Sequence, residues 1–192
     1  QPPFADSTPL GLFGLAIGCA ALVPIALGKA LSPAAFETAA TFCLLFGAGG
    51  QLLAGLLALA NKNLLGGTLF TTFSFNWVMN WWALSGLAEG KVPSSTIVLS
   101  VDICFLLIFL VLTYAFGFFS KLLFAFLLDI DCLYVCRIAK EALHMPSLGM
   151  GIAIFTVLLM VIALYLAFAM LVNPAAGRPV FPVPGPMFKA TV

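Results

Sequence analysis

Charge is what this chain has least of. Eight Lys and Arg and seven Asp and Glu make up 8% of 192 residues, whereas 63% are hydrophobic. A soluble domain carries about 25% charged residues, and that charge keeps its surface dispersed in water. A shortfall this deep excludes an ordinary water-facing globule. A net charge of +1 also leaves out the basic stripe of a nucleic-acid binder and any strong pull on an acidic soluble partner. There is a single histidine, His144, and there is no nucleophile elbow, Walker loop or dinucleotide fingerprint. No enzyme constellation is therefore expected, and no cofactor. Gly47-Ala48-Gly49-Gly50 lies inside an apolar run, the wrong context for cradling phosphate. The five cysteines (Cys19, Cys43, Cys104, Cys132 and Cys136) sit in apolar stretches without CxxC or Cys/His spacing, so they read as packing and no metal is expected.

What the chain has in plenty is uncharged length. Residues 10–28, 38–61, 63–88, 103–120 and 145–173 contain no Asp, Glu, Lys or Arg. Backbone crossing lipid must satisfy its own amides, which leaves helices or closed barrels. Barrel strands need about 9–11 alternating residues and spanning helices about 20 apolar ones. These runs are long and do not alternate, so the fold class is all-α: a polytopic membrane protein with a six-transmembrane-helix bundle. No basic leader precedes the first run, which continues into further spans, so a cleaved signal peptide is not expected.

The organisation follows from the breaks. Residues 1–9 form an N-terminal arm, 10–172 the transmembrane domain and 173–192 a proline-rich C-terminal tail, expected to be extended over the membrane face. Span one covers 10–28 and has Pro24 near its end. Span two starts after Ser32-Pro33 and runs to Ala60, where Asn61-Lys62-Asn63 breaks it. Span three covers 66–88, span four runs from Ser94-Ser95 to Phe118, span five covers 121–143, and span six follows Met145-Pro146-Ser147 to Val172. One side then carries Lys29, Lys91, Arg137 and Lys140, the other Lys62, Lys121, Arg178 and Lys189. The count is balanced, so the positive-inside rule gives no orientation. Gly14 and Gly18 on span one, and Gly47, Gln51 and Gly55 on span two, form small-residue stripes that predict close helix crossings.

Several blocks share their order and spacing with one family. Pro9-Leu10-Gly11-Leu12 opens span one. Gly49-Gly50-Gln51-Leu52-Leu53-Ala54-Gly55 is followed by the stretch from Asn63-Leu64-Leu65-Gly66-Gly67-Thr68 to Thr72-Phe73. Ala163-Leu164-Tyr165-Leu166-Ala167, Asn173 and Gly177-Arg178 close span six. Together these resemble the succinate–acetate permease, or acetate uptake transporter, family along nearly the whole chain. The resemblance implies six spans per subunit, a homohexameric ring, and passage of acetate and similar small carboxylates past an apolar constriction, with protons. It places Leu15, Phe73 and Asp129 at that constriction, where the family combines Phe, Tyr and Leu. Asp6-Ser7-Thr8-Pro9 stands where the family reads Asn-Pro-Ala-Pro. Met170 and Ala58 replace two of its acids.

Residue by residue, the polar groups inside apolar runs are the candidates. Gln51 would lose its hydrogen bonds against hydrocarbon, so it is expected to point inward, toward cargo or a neighbouring helix. Thr72, Asn76 and Asn80 share one face of span three and form either a wet ladder or interhelical bonds. Asn63 and Thr68 flank the break before span three, as caps or as pathway residues, and Tyr165 joins the pathway through the resemblance. Trp77, Trp81 and Trp82 read as an aromatic belt or lipid-facing packing. Asp129 and Asp131, two apart, lie on nearly opposite faces of one helix and cannot both serve one pore. They are either proton-linked or tied ionically to Arg137, Lys29 or Lys121. Asp102, in the first turns of span four, suits a structural role at a helix start. Arg137 and Glu141 form an i,i+4 pair at the wet end of span five. His144 reads as an ordinary interface residue, and Arg178 as an anion-attracting or tail-anchoring group.

Three readings follow: a channel or transporter for acetate and related carboxylates; the same bundle carrying ammonium, ammonia or another small neutral solute, motivated by the acid at the neck; and a non-transporting membrane subunit. Expected partners are the lipid bilayer, the small carboxylate and further copies of the chain. Compact length and short tails point to the plasma (inner) membrane of a bacterium or archaeon.

Overall fold

The helices begin and end where the sequence punctuates them. A computed structural model describes residues 2–189, and among these there is no strand. Helix α1 spans Thr8–Ala26. Pro33–Ala60 is one continuous rod made of α2 (Pro33–Phe42), a π-helical stretch (Cys43–Gly50) and α3 (Gln51–Ala60). Helices α4 (Leu64–Ala88), α5 (Ser95–Phe116), α6 (Lys121–Ala142) and α7 (Leu148–Ala176) complete the bundle. Ser32 caps α2 by accepting from the Ala35 amide at 3.2 Å, with Pro33 preset at the first turn. Asn63 caps α4 through the Gly66 amide at 2.9 Å, and Ser120 caps α6 through Leu122 at 3.1 Å. The Pro24 carbonyl accepts from the Lys29 and Ala30 amides and closes α1.

By length and composition, α1, the Pro33–Ala60 rod, α5 and α7 can each cross a membrane. Of the six expected spans, α4 and α6 are long enough but too polar to qualify by themselves. Large apolar side chains turn outward all round the bundle: Leu45, Leu53, Phe75, Leu107 and Val111 are exposed. The buried core mixes leucine with small and aromatic residues. So much large apolar surface on the outside suits hydrocarbon as the solvent.

Small residues set the crossings. A Cβ on Gly14 of α1 would fall on the Phe46 carbonyl oxygen and 3.3 Å from the Gly50 Cα. Backbone therefore meets backbone where α1 crosses the π-helical stretch. A Cβ on Gly11 would stand 2.7 Å from the Phe70 ring, and one on Gly55 would strike the Thr71 hydroxyl. The stripes read from the sequence are indeed where helices close on each other. Extra residues per turn in the π-helical stretch coincide with Gly47, Gly49 and Gly50, where side chains cannot obstruct the wider turn.

The tail begins later than expected. Helix α7 continues past Asn173 with Pro174 in its last turn and stops at Gly177, whose φ of 62° is left-handed. The chain then folds back as a strap over the ends of α5, α6 and α7. Asn173 exchanges two bonds with the Phe181 backbone, Ser120 donates to the Pro184 carbonyl, and the Lys121 amide donates to the Gly185 carbonyl. Phe188 packs among Tyr114, Phe118 and Phe124. The side chains of the last turn, not the prolines alone, decide the path of the tail. Residues 190–192 of the expected tail, and Gln1 of the arm, lie outside the described residues.

Gly14→Ala should lose about 1–3 kcal/mol through overpacking, seen as a lower midpoint of thermal denaturation in detergent. Gly149→Ala, where a Cβ meets nothing within 4 Å, should leave the midpoint unchanged. Equal midpoints for both would refute the close crossing.

Candidate functional site

A chamber of about 310 Å³ opens at the end of the bundle where α1 and α4 finish and α5 and α7 begin. Cys19, Leu22 and Ile25 of α1 form one wall, and Phe73, Asn76, Trp77 and Asn80 of α4 another. Asp102 of α5, Ile130, Tyr134 and Arg137 of α6, and Thr156 of α7 close the rest. The deep part is apolar, and the charged groups, with Lys140 and Glu141, cluster toward the mouth. Behind this wall Phe109 meets Phe73 edge-on at 5.1 Å and Tyr134 at 5.5 Å, and Leu15, Phe109 and Leu127 are all buried.

Trp77 is a correction to the aromatic-belt expectation. Its side chain is buried against Gly18 and Gly47, since a Cβ at either position would lie 2.8 or 2.5 Å from the ring. Two glycines on neighbouring elements make a seat for the indole that hydropathy alone does not reveal. Trp81 and Trp82 stay exposed.

The charges are also redistributed. Arg137 pairs with Asp102: Nε donates to Oδ2 at 3.0 Å and Nη2 to Oδ1 at 2.9 Å. No Arg137–Glu141 pair forms among the described residues; the guanidinium turns inward, over the Tyr134 ring at 5.3 Å. Asp102 is buried and caps nothing, because its partner lies across the helix pair. Antiparallel α5 and α6 make this legible in retrospect: positions 102 and 137 are nearly equally far along the chain from the turn at 117–120. Within either helix alone, the spacing of charges does not reveal the pair.

Asp129 and Asp131 do face different neighbours. The Thr113 hydroxyl of α5 donates to Asp131 Oδ2 at 2.7 Å, leaving Oδ1 buried without a partner. Asp129 makes no side-chain hydrogen bond among the described residues, and its Oδ2 is likewise buried and unpartnered. Neither acid forms an ion pair among the described residues, so the expected links to Arg137, Lys29 or Lys121 are absent there.

The remaining candidates scatter. Asn76 and Asn80 line the chamber, and the Asn80 side-chain amide donates to the Asn76 carbonyl at 3.1 Å. Thr72 is half-buried outside the lining. Gln51 is 1% exposed with Oε1 unpartnered, so it points inward as expected, but it does not line the chamber. Asn63 and Thr68 are exposed at the opposite end, where Asn63 serves as a cap. Tyr165 donates to the Pro182 carbonyl at 2.9 Å and holds the strap.

Thr113→Val removes the hydrogen bond that Asp131 accepts and strands a buried carboxyl. It should cost about 1–3 kcal/mol, read as reduced thermal stability in detergent, and Asp131→Leu added to it should recover part of the loss. A double variant no more stable than Thr113→Val would contradict the pairing.

No family model matches the sequence, and no curated protein matches it either. Among solved structures, the bacterial acetate channel SatP superposes with a TM-score of 0.85 at 20% identity, covering 94% of this chain and 99% of that one. Over nearly its whole length, this chain has the fold of that channel.

Proposed function

We propose that this protein is a membrane channel or transporter for acetate and related small carboxylates. The carrying observation is a chamber, polar at its mouth and apolar at its floor, in a bundle with the fold of an acetate channel. An apolar neck strips water from whatever crosses it and so favours the protonated acid over the anion. Leu15, Phe73 and Asp129 form that neck, and Asn76 and Asn80 guide the cargo to it. Gln51, Thr72 and Asn63 serve the far half of the path, with Thr68 and Tyr165 beside it. A fixed charge on Asp129 would oppose an acetate anion. The cargo therefore crosses as the acid, or Asp129 carries the proton, and transport is proton-coupled in either case. Asp102 and Asp131 support the bundle around this route. Six spans per subunit, α4 and α6 included, assemble as a homohexamer in the plasma membrane of a bacterium or archaeon. A protomer whose neck opens needs no enzymatic step.

One observation favours a second reading. Asp129 has no cationic partner among the described residues, and an unpaired acid at a neck suits ammonium or another small cation or neutral solute. A non-transporting subunit would keep the packed neck permanently shut.

Proteoliposomes should take up labelled acetate at acidic and neutral pH, and Leu15→Trp should abolish that flux by filling the neck. Uptake equal to that of empty liposomes at both pH values would end the proposal. In the same vesicles Asp129→Asn separates the cargoes: loss of ammonium flux with acetate flux retained would favour the second reading.

A further inference from the structure

The Asp102–Arg137 pair is built in a way that a simple interhelical tie does not require. Asp102 takes the guanidinium from its side, through Nε and one N–H of Nη2. Three of the five N–H donors of Arg137, both on Nη1 and the second on Nη2, have no partner among the described residues. The arginine side chain is 27% exposed and its partner's 5%, so the acid is the hidden member and the base is the one presented. What Arg137 faces is the chamber, which both residues line. The Tyr134 ring lies beneath the guanidinium, 5.3 Å from its carbon. Arg137 thus offers the chamber the donors that Asp102 leaves unused, and a carboxylate is the ligand that accepts two of them at once.

Asp102 also sets how tightly such a ligand is held. Asp102, Arg137, Lys140 and Glu141 line the chamber, and their formal charges cancel. An anion docking there gains hydrogen bonds to an oriented fork but little from net charge. Conduction needs this balance, because a site must attract cargo and still release it. An arginine facing the chamber without a counter-ion would hold an anion too long.

From this geometry we infer that Arg137 is the group that captures the carboxylate in the chamber, and that Asp102 is its positioning residue, aiming the free edge of the guanidinium at the cargo and keeping its hold weak. The inference rests on the carboxylate-channel reading and adds to it the docking point and the residue that tunes it.

A purely structural pair and a capture device differ in what its two members do when removed singly. As a structural tie, Arg137→Gln and Asp102→Asn would both weaken the fold and shift transport in the same direction. As a capture device they part company. Arg137→Gln should raise the KM for acetate uptake by about tenfold, the loss expected when a charge-assisted hydrogen-bond pair is removed. Asp102→Asn should lower KM by severalfold and lower the maximal flux with it, since cargo is released more slowly. Arg137→Lys, which keeps the charge but not the fork, should fall between wild type and Arg137→Gln. Binding of [13C]acetate to the full chain in detergent, followed by saturation-transfer NMR, reads the same site without transport. The titration midpoint should rise by about tenfold in Arg137→Gln and fall severalfold in Asp102→Asn.

The outcomes are separable. Uptake by wild type with KM moving the same way in both single variants would overturn the capture role and leave the channel reading standing. Wild-type binding with the expected opposite shifts, but no uptake, would support the chamber site and overturn the channel reading. Neither binding nor uptake would remove both.

Discussion

Hydrocarbon offers an amide or a hydroxyl nothing to bind, and the arrangement of this protein follows from that one constraint. Each polar group in the bundle must find a partner inside, face a wet chamber, or reach an end. Backbone amides are satisfied within the helices, and the helix starts borrow Ser32, Asn63 and Ser120. Charged side chains in α5 and α6 meet across the helix pair, as Asp102 with Arg137, or take a hydroxyl, as Asp131 with Thr113. The groups still unpartnered, including Gln51 Oε1, Thr71 Oγ1 and Asp129 Oδ2, are buried rather than turned to the exterior.

The same constraint explains the packing. Lipid tails are as apolar as leucine, so helices gain nothing by hiding large aliphatic side chains from them. Leucine and valine can face outward, and contact between helices rests on small residues and shape. Gly14 brings α1 onto the backbone of the π-helical stretch, and Gly18 and Gly47 together admit one indole. The indole belongs at once to the α1 crossing and to the chamber wall, so the depth of the chamber depends on glycines that never touch its contents. The strap formed by residues after Gly177 works the opposite end, bracing the α5–α6 turn by backbone bonds and the Phe188 ring.

Much of this was legible in the residues. Uncharged runs of helix length fixed the class, and Ser32-Pro33, Asn61-Lys62-Asn63 and Met145-Pro146 marked breaks within a few residues. The opposed faces of Asp129 and Asp131 followed from helical geometry alone. What escaped depended on two helices at once. Taken along the chain, Asp102 and Arg137 each suit a local role, as a helix-start acid and as one half of a pair with Glu141, because a charge in a single sequence looks first to its own helix. Spacing groups Trp77 with Trp81 and Trp82, although only Trp77 faces two glycines on other elements. Asn173 marks the start of the tail in the sequence, yet its side chain holds the tail's return path to Phe181. Pairings across elements carry the site, and periodicity within one element does not encode them.

Central to the account is that the outer face of the bundle lies against lipid acyl chains. A spin label at Leu107, an exposed position in the middle of α5, tests this in liposomes, with the native cysteines replaced. The label should collide freely with dissolved oxygen and hardly at all with a water-soluble nickel chelate. Strong relaxation by the nickel chelate would put water where the account requires hydrocarbon, and would contradict it.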